Sequence, residues 1–276
     1  MRITDLGRGV IMNDFVKVEV LHTGRLKYDR SLAFKELDSI PPVNQRGESF
    51  QSEVPLSSYL IEHPSGRRVV VDAGWHEDIR TRPEQHLGSD LWQFIEYDLP
   101  AGSSVREQLQ ARGLTPKDID LVVISHLDVD HISGLGLLKG AGRFLVSQPE
   151  WEFAAVSQEA WHREVPLTPF ALEPIPYGPY QSGLDVFGDG LLYLVHTPGH
   201  TPGHLSILAK VENGWLLLAS DAGYAERSWQ EMILPGITSD PDQAMKSLQW
   251  VRDFAGREDC VAALAHHETK PIPMRF

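Results

Sequence analysis

A cluster of potential metal ligands directly after a short apolar run limits the folds and functions that are open to this chain. Residues 121–124 are purely aliphatic, as expected for a buried strand. They lead into two imidazoles and two carboxylates within six residues: His126, Asp128, Asp130 and His131. Imidazole and carboxylate are the donors of hydrolytic metal sites. The cluster predicts a metal centre here, and a polar helix N-terminus capped by Asp130 is the simpler alternative.

Three further potential ligands each follow an apolar run with strand character: His200, Asp221 and His266. Alone, each is weak, because a single histidine near a strand is more often a packed core residue. Together, four such strand ends indicate that one edge of the predicted sheets forms a metal site, since rigid strands position side chains in the adjoining loops. His204, in the second Thr-Pro-Gly-His, and His267, beside His266, are the alternative ligands.

The remaining pattern predicts the fold class. Alternation or aliphatic runs predict strands at 15–21, 59–62, 68–72, 121–124, 143–147, 191–195, 205–210, 215–220 and 261–265. Helices are predicted at 104–112 and 241–254, and the second has apolar residues at helical spacing: Ala244, Met245, Leu248, Val251 and Phe254. Hairpins mixed with crossovers indicate an α/β fold in which two mixed β-sheets pack face to face between outer helices, a four-layer sandwich.

Length and charge limit the classes of function. The 276 residues suit one domain spanning 1–276. Acidic residues outnumber basic ones by 38 to 25 without any basic cluster, which argues against nucleic acid as a partner. No run reaches the roughly 20 apolar residues of a membrane span, and we expect a cytoplasmic protein because the N-terminus lacks a signal-peptide pattern and only Cys260 is a cysteine. The irregular segments 29–53 and 151–180 suit the walls of a small-molecule pocket, a part of the core or a homodimer contact.

The order HxDxDH, TPGH, SDAGY and AHH resembles the metallo-β-lactamase superfamily, whose motif is HxHxDH followed by a His, an Asp and a His. Within it, the chain is most similar to the N-acyl-homoserine lactonases, over roughly residues 15–267. The resemblance implies the αββα fold and two divalent metal ions, zinc first. It implies the following ligands: His126, Asp128 and His200 for the first ion, Asp130, His131 and His266 for the second, and Asp221 bridging both.

The same resemblance implies the catalytic groups. Hydroxide held between the ions beside Asp221 would attack a lactone or related ester, and Tyr224 would stabilise the oxyanion. Asp130 would pass a proton to the leaving alkoxide. Asp72 matches the family's Val-Asp-x-Gly turn, where it would orient a ligand histidine. A packed aromatic after a strand is the plainer interpretation of Tyr224.

Asp128 departs from the family, which usually has histidine at this position. A harder oxygen donor shifts metal preference from zinc toward iron or manganese. A carboxylate here also resembles the flavodiiron oxidoreductases, although no phosphate-binding loop for a flavin follows. Cleavage of a thioester or β-lactam, and a non-catalytic metal-binding role, are also compatible with the sequence, because the fold alone does not decide the reaction.

Overall fold

The computed structural model describes residues 14–35, 41, 45–88, 96–154 and 165–276. In these ranges, thirteen β-strands form two sheets with helices outside them. No helix among the described residues is long and apolar enough to cross a lipid bilayer. The α/β class and the pair of mixed sheets predicted from the sequence are thereby confirmed.

The first sheet has the strand order β4-β1-β2-β3-β5-β6-β7. Its strands are β1 (Lys17–Asp29), β2 (Gln51–Glu62), β3 (Arg68–Val71), β4 (Glu96–Asp98), β5 (Leu121–Val123), β6 (Arg143–Ser147) and β7 (Leu167–Phe170). The strands from β4 to β3 pair antiparallel, whereas β3, β5, β6 and β7 run parallel.

The second sheet has the order β13-β12-β11-β10-β9-β8. Its strands are β8 (Glu173–Pro174), β9 (Ser182–Asp185), β10 (Leu192–His196), β11 (Leu205–Val211), β12 (Gly214–Ser220) and β13 (Cys260–Ala265). All pairs are antiparallel except β12 with β13.

The helices are short apart from the last. They are α1 (Arg30–Ala33), α2 (Pro83–Leu87), α3 (Val105–Ala111), α4 (Val129–Ile132), α5 (Gln148–Ala154), α6 (Glu226–Gln230) and α7 (Pro241–Ala255). Four 3-10 turns accompany them in the described ranges, at Glu48–Phe50, Glu77–Arg80, Pro116–Asp118 and Ser133–Leu138.

Three separate apolar cores correspond to the three interfaces of a four-layer sandwich. Val71 of the first sheet and Leu194 of the second belong to the core between the sheets. Val70, on the opposite face of β3, belongs to a second core that contains Leu109 of α3. The third core joins the outer face of the second sheet to Leu248 of α7.

Two strands are longer than the sequence pattern predicted. β1 and β2 pair from Lys17 with Glu62 to Asp29 with Gln51, with one irregularity between His22 and Arg25. The extension reaches only the two ends of the segment 29–53 that the sequence indicated to be a loop, at Asp29 and at residues 51–53. Exposed polar residues such as Arg25 and Glu53, which pair at 2.7 Å, are mixed irregularly in the extension with buried ones such as Val54, so that local hydrophobic alternation does not reveal the pairing.

The apolar stripe of α7 yields a matched test of core packing. Leu248 is fully buried, whereas Met245 lies at the edge of the stripe and is 39% exposed. We expect Leu248→Ala to lower the free energy of unfolding by about 2–5 kcal/mol, because truncation leaves a cavity. Met245→Ala should change it by less than about 0.5 kcal/mol. Denaturant titration of both variants checks this, and similar losses would mean that α7 packs differently.

Candidate metal centre

Two pairs of parallel strands bring the candidate ligands to one edge of the sandwich. β3 and β5 end at the same level, so that Asp72 emerges beside the segment leading to His126. β12 and β13 also end together, which brings Asp221 beside His266 and His267. Residues that follow neighbouring parallel strands lie at the same edge of a sheet. Here the two sheets place such residues next to each other.

The first group of donors consists of His126, Asp128 and His200. Asp128 Oδ2 lies 3.0 Å from His200 Nε2 and 3.5 Å from His126 Nε2. The two imidazoles are buried, whereas the Asp128 side chain is 44% exposed at the mouth of the site. Burial raises the pKa of Asp128, but the adjacent His126 and His200 outweigh it and hold this pKa well below its usual range.

The second group of donors contains Asp130, His131, His266 and His267. Asp130 Oδ2 lies 3.8 Å from His131 Nε2 and 3.4 Å from His267 Nε2. All four residues are buried, and α4 supplies the first two. Asp128 is the N-cap residue of α4, whereas the alternative interpretation of the sequence gave that role to Asp130.

Asp221 lies between the two groups. Its Oδ1 is 3.5 Å from His131 Nε2, and its Oδ2 is 3.5 Å from His267 Nε2. The same Oδ2 is 3.9 Å from His200 Nε2 and 4.0 Å from His126 Nε2. Burial raises the pKa of Asp221, but His267 and His131 outweigh it and hold this pKa well below the usual range. An ionised carboxylate within reach of four imidazoles is suited to bridge two cations.

Four of the imidazoles are fixed through Nδ1, which leaves Nε2 facing the centre. The contacts are His126 with Ser125 Oγ at 3.1 Å, His131 with Asp72 Oδ2 at 2.8 Å, His200 with the Ile237 carbonyl at 3.0 Å, and His267 with the Pro55 carbonyl at 3.3 Å. Metal-binding histidines usually donate their other ring N–H to such a partner.

Several inward-facing atoms have no hydrogen-bond partner among the described residues. They include the buried His126 Nε2, His131 Nε2 and Asp221 Oδ1. A buried polar atom without a partner is costly, and a bound cation would remove that cost. The donors therefore fit the two divalent ions expected from the sequence.

His204, one of the two alternative ligands, makes other contacts. Its Nε2 accepts a hydrogen bond from the Asp221 N–H at 3.0 Å. Its Nδ1 contacts the Thr197 carbonyl at 3.1 Å and the Thr197 hydroxyl at 3.0 Å. Both ring nitrogens are therefore engaged, and His204 holds the backbone of the central carboxylate in place.

His266 and His267 differ in what they contact. His267 Nε2 faces Asp130 and Asp221, as described above. His266 stacks on His131 with ring centroids 3.7 Å apart, and both of its buried ring nitrogens lack a hydrogen-bond partner among the described residues. Among the described residues, no carboxylate forms an ion pair with His266 within 4.0 Å, in contrast to His267.

Tyr224 packs against the centre. Its ring stacks on His267 at 5.0 Å and meets His200 edge-on at 5.9 Å. Burial, reinforced by Asp221, raises the pKa of Tyr224 well above its usual value, so that its hydroxyl is a neutral donor. Tyr28 meets both Tyr224 and His267 edge-on, although the sequence did not single it out, because it lies in the polar extension of β1.

A buried carboxylate that was not predicted from the sequence, that of Glu150, connects two loops that carry candidate ligands. Glu150 Oε1 accepts a hydrogen bond from the N–H of Leu127, which lies between His126 and Asp128. Glu150 Oε2 accepts one from the N–H of Gly203, in the loop that carries His200. A Cβ on Gly203 would clash with the Glu150 backbone, so that only glycine permits this approach. The sequence holds no signal for it, because α5 has the pattern of an ordinary amphipathic segment.

Asp72 fixes the second donor group from behind. Its Oδ1 accepts a hydrogen bond from the Ser125 N–H, and its Oδ2 contacts both the Ser125 hydroxyl and His131 Nδ1, each at 2.8 Å. The residue has a φ of 56°, a conformation that non-glycine residues rarely adopt. Such local strain is tolerated where the surrounding contacts over-determine it, which is typical of functional sites.

The chain is similar to known proteins over most of its length. The profile of the metallo-beta-lactamase superfamily matches residues 53–266. The chain is 31% identical to the N-acyl homoserine lactonase AttM of Rhizobium radiobacter over 229 residues, covering 80% of this chain and 85% of that protein. It is 28% identical over 214 residues to the N-acyl homoserine lactonase AiiA of Bacillus thuringiensis subsp. kurstaki, covering 77% and 81% of the two chains.

Solved structures show the same fold. A variant of B. thuringiensis AiiA with N-decanoyl-L-homoserine bound at its active site superposes with a TM-score of 0.74, at 24% identity, over 92% of this chain and 94% of that one. The dizinc quorum-quenching lactonase AidC superposes with a TM-score of 0.61, at 16% identity, over 94% and 89%. With the sequence match and the shared αββα architecture, the chain belongs to the metallo-beta-lactamase superfamily.

Proposed function

We propose that this protein is a metal-dependent hydrolase that opens the lactone ring of N-acyl homoserine lactones at a centre of two divalent ions. The observation that carries the proposal is the buried Asp221 carboxylate, which lies within 4.0 Å of four imidazole nitrogens. The substrate class rests on the similarity to the lactonases AttM and AiiA over about four-fifths of the chain.

The distances support an assignment of ligands that differs from the sequence expectation at one residue. The first ion would be held by His126, Asp128 and His200, the second by Asp130, His131 and His267, with Asp221 shared. His267 is preferred to His266 because its Nε2 faces both carboxylates of the second group and its Nδ1 has the Pro55 carbonyl as partner. His266 would then pack behind His131 as a neighbour of the ligands.

The carboxylate of Asp128, at a position where the family usually has histidine, affects which metal ion the site prefers. Four imidazoles and three carboxylates neutralise more of the positive charge of two divalent ions than five imidazoles and two carboxylates would. Zinc remains the expected ion, and the harder oxygen of Asp128 moves the preference toward iron or manganese. Because the Asp128 side chain is 44% exposed, this ligand lies nearest the entrance, where a substrate would arrive.

Two such ions, when bound, would supply Lewis-acid polarisation of the lactone carbonyl and lower the pKa of water. Tyr224 would donate a hydrogen bond to the carbonyl oxygen as negative charge develops on it. Its position suits this role, because its ring contacts His200 of the first donor group and His267 of the second. A phenol is protonated at neutral pH even at its ordinary pKa, and burial raises the pKa of Tyr224 further, so that its hydroxyl can donate a hydrogen bond.

Asp130 suits the second half of the reaction. Ring opening breaks the bond between the acyl carbon and the ring oxygen, and the departing alkoxide needs a proton. The Asp130 side chain is 12% exposed, whereas that of Asp221 is 2% exposed. Of these two carboxylates, Asp130 is therefore the one that a substrate can reach. We assign it the transfer of the proton from the attacking water to the alkoxide.

An apolar wall beside the centre suits an acyl chain. Tyr28, Ala33, Val54 and Tyr224 form one buried cluster, and Phe34 packs against it. Apart from Tyr224, the wall is formed by the end of β1, α1 and the start of β2, and two of its members, Ala33 and Phe34, lie in the segment 29–53 that the sequence indicated as a pocket lining. Because it reaches Tyr224, an amide-linked chain could lie along it while the lactone carbonyl meets the hydroxyl.

The activity is tested by incubating the metal-loaded protein with N-hexanoyl homoserine lactone and following proton release, with the opened product identified by mass. Asp221→Asn should abolish turnover, because both donor groups lose their shared ligand. Tyr224→Phe should lower kcat/KM by about 10- to 100-fold, less than the loss of a sole oxyanion donor, because carbonyl polarisation remains.

Tyr193→Phe, the same change on an outer face of the second sheet, is the matched control and should leave kcat/KM unchanged. A thioester and a β-lactam tested alongside separate the competing hydrolase activities. Normal kcat in Asp221→Asn, or cleavage of a thioester without cleavage of the lactone, would contradict the proposal.

The choice between the adjacent histidines has its own test. We expect His267→Ala to lower the bound metal from two equivalents per chain to about one, because the second ion loses an imidazole that faces Asp130 and Asp221. His266→Ala, its matched neighbour, should retain two equivalents. Elemental mass spectrometry of both purified variants measures this, and the reverse pattern would assign the ligand to His266.

A further inference from the structure

A second cluster of metal donors lies outside the centre described above. Donor atoms of His76, Asp78 and His86 lie within 4.8 Å of one another. The two imidazole rings stack nearly parallel, with centroids 4.7 Å apart and planes at 19°. None of these residues belongs to the donor groups around Asp221, and the proposed function assigns them no role.

The fold holds these side chains in place. His76 is the N-cap residue of the 3-10 turn Glu77–Arg80, and its Nδ1 accepts a hydrogen bond from the Asp78 N–H at 3.0 Å. His86 lies on α2, and its Nε2 contacts Ser133 Oγ at 2.9 Å. The same hydroxyl accepts a hydrogen bond from the His76 N–H at 3.1 Å. One serine therefore anchors both histidine segments.

We propose that His76, Asp78 and His86 form a third divalent-cation site, of the kind that takes zinc, separate from the centre around Asp221. Two imidazoles and one carboxylate are a common donor set for zinc, with water completing the coordination. Zinc bonds of about 2.0–2.2 Å place donors roughly 3–4 Å apart, so the cluster must contract to hold the ion. One of the stacked imidazoles must also turn toward the ion, because the lone pair of a ring nitrogen lies in the plane of the ring.

The surroundings of the cluster suit a cation that enters from solvent. The His76 side chain is 16% exposed and that of Asp78 is 29% exposed. The site is thus open enough for an ion to enter.

Arg82 is the competitor for the carboxylate. Its Nη2 lies 3.0 Å from Asp78 Oδ1 and 2.9 Å from Asp78 Oδ2, and its side chain is 58% exposed. A surface ion pair of this kind contributes little stability, so a divalent ion can displace the guanidinium. This geometry makes a specific prediction, because removing Arg82 should strengthen rather than weaken cation binding.

The site has a structural consequence. Ser133 begins the 3-10 turn that follows α4, and α4 carries Asp130 and His131. A cation at the cluster would therefore tie α2 and the turn Glu77–Arg80 to the element that supplies two ligands of the main centre. This inference does not depend on the proposed reaction.

The test titrates Zn²⁺ into the protein after its main centre has been filled, with calorimetry and elemental mass spectrometry as readouts. Wild type should bind a third equivalent, whereas His86→Ala and Asp78→Ala should retain two and lose the third. His63→Gln is the matched control and should bind three, since His63 pairs with Asp189 at 2.9 Å but is not one of the residues whose donor atoms cluster.

Arg82→Gln should bind the third equivalent severalfold more tightly than wild type, a gain that misfolding cannot produce. The proposal is overturned if filled wild type takes up no further zinc, or if Asp78→Ala and His86→Ala bind it as wild type does. If the protein hydrolyses the lactone but binds only two zinc ions per chain, the proposed function stands and only the third cation site is rejected.

Discussion

The rest of the site depends on one buried carboxylate and the four imidazoles around it. Asp221 follows β12 directly, after Ser220 with a φ of 50°, and this turn directs the carboxylate between the sheets. His204 accepts a hydrogen bond from the Asp221 N–H and so fixes the backbone at this point. Several buried ligand atoms at this place have no hydrogen-bond partner in the part of the chain that the structure describes, and such an arrangement suits a site that holds metal.

The two halves of the sandwich must be held at a fixed distance for this arrangement to exist. The core between the sheets provides general packing, and two buried carboxylates provide specific links at the metal-binding edge. Asp72 ties the end of β3 to Ser125 and His131, and Glu150 ties α5 to the loops of both sheets. Each carboxylate accepts hydrogen bonds from backbone N–H groups, which positions whole loops rather than single side chains.

Much of this could be predicted from the sequence, because strand ends are where periodic apolar patterns stop and ligands follow. The HxDxDH cluster, His200 and Asp221 are brought together by the fold. The extent of β1 and β2 could not be predicted, since exposed polar pairs carry no hydrophobic alternation. The choice between His266 and His267 depends on how the chain turns after β13, where its pairing with β12 shifts register, and adjacent residues look alike in sequence. The single domain, the cytoplasmic location and the homodimer stay predictions.

We infer that this edge of the sandwich holds two cations despite the carboxylate at position 128. The most direct measurement is the metal content of the purified wild-type protein and of Asp128→His, counted per chain by elemental mass spectrometry. We expect two equivalents in both proteins, with iron or manganese forming a larger share of the bound metal in wild type than in the variant. One equivalent or none in wild type, rising to two in Asp128→His, would contradict it, because Asp128 would then weaken the first site instead of forming it.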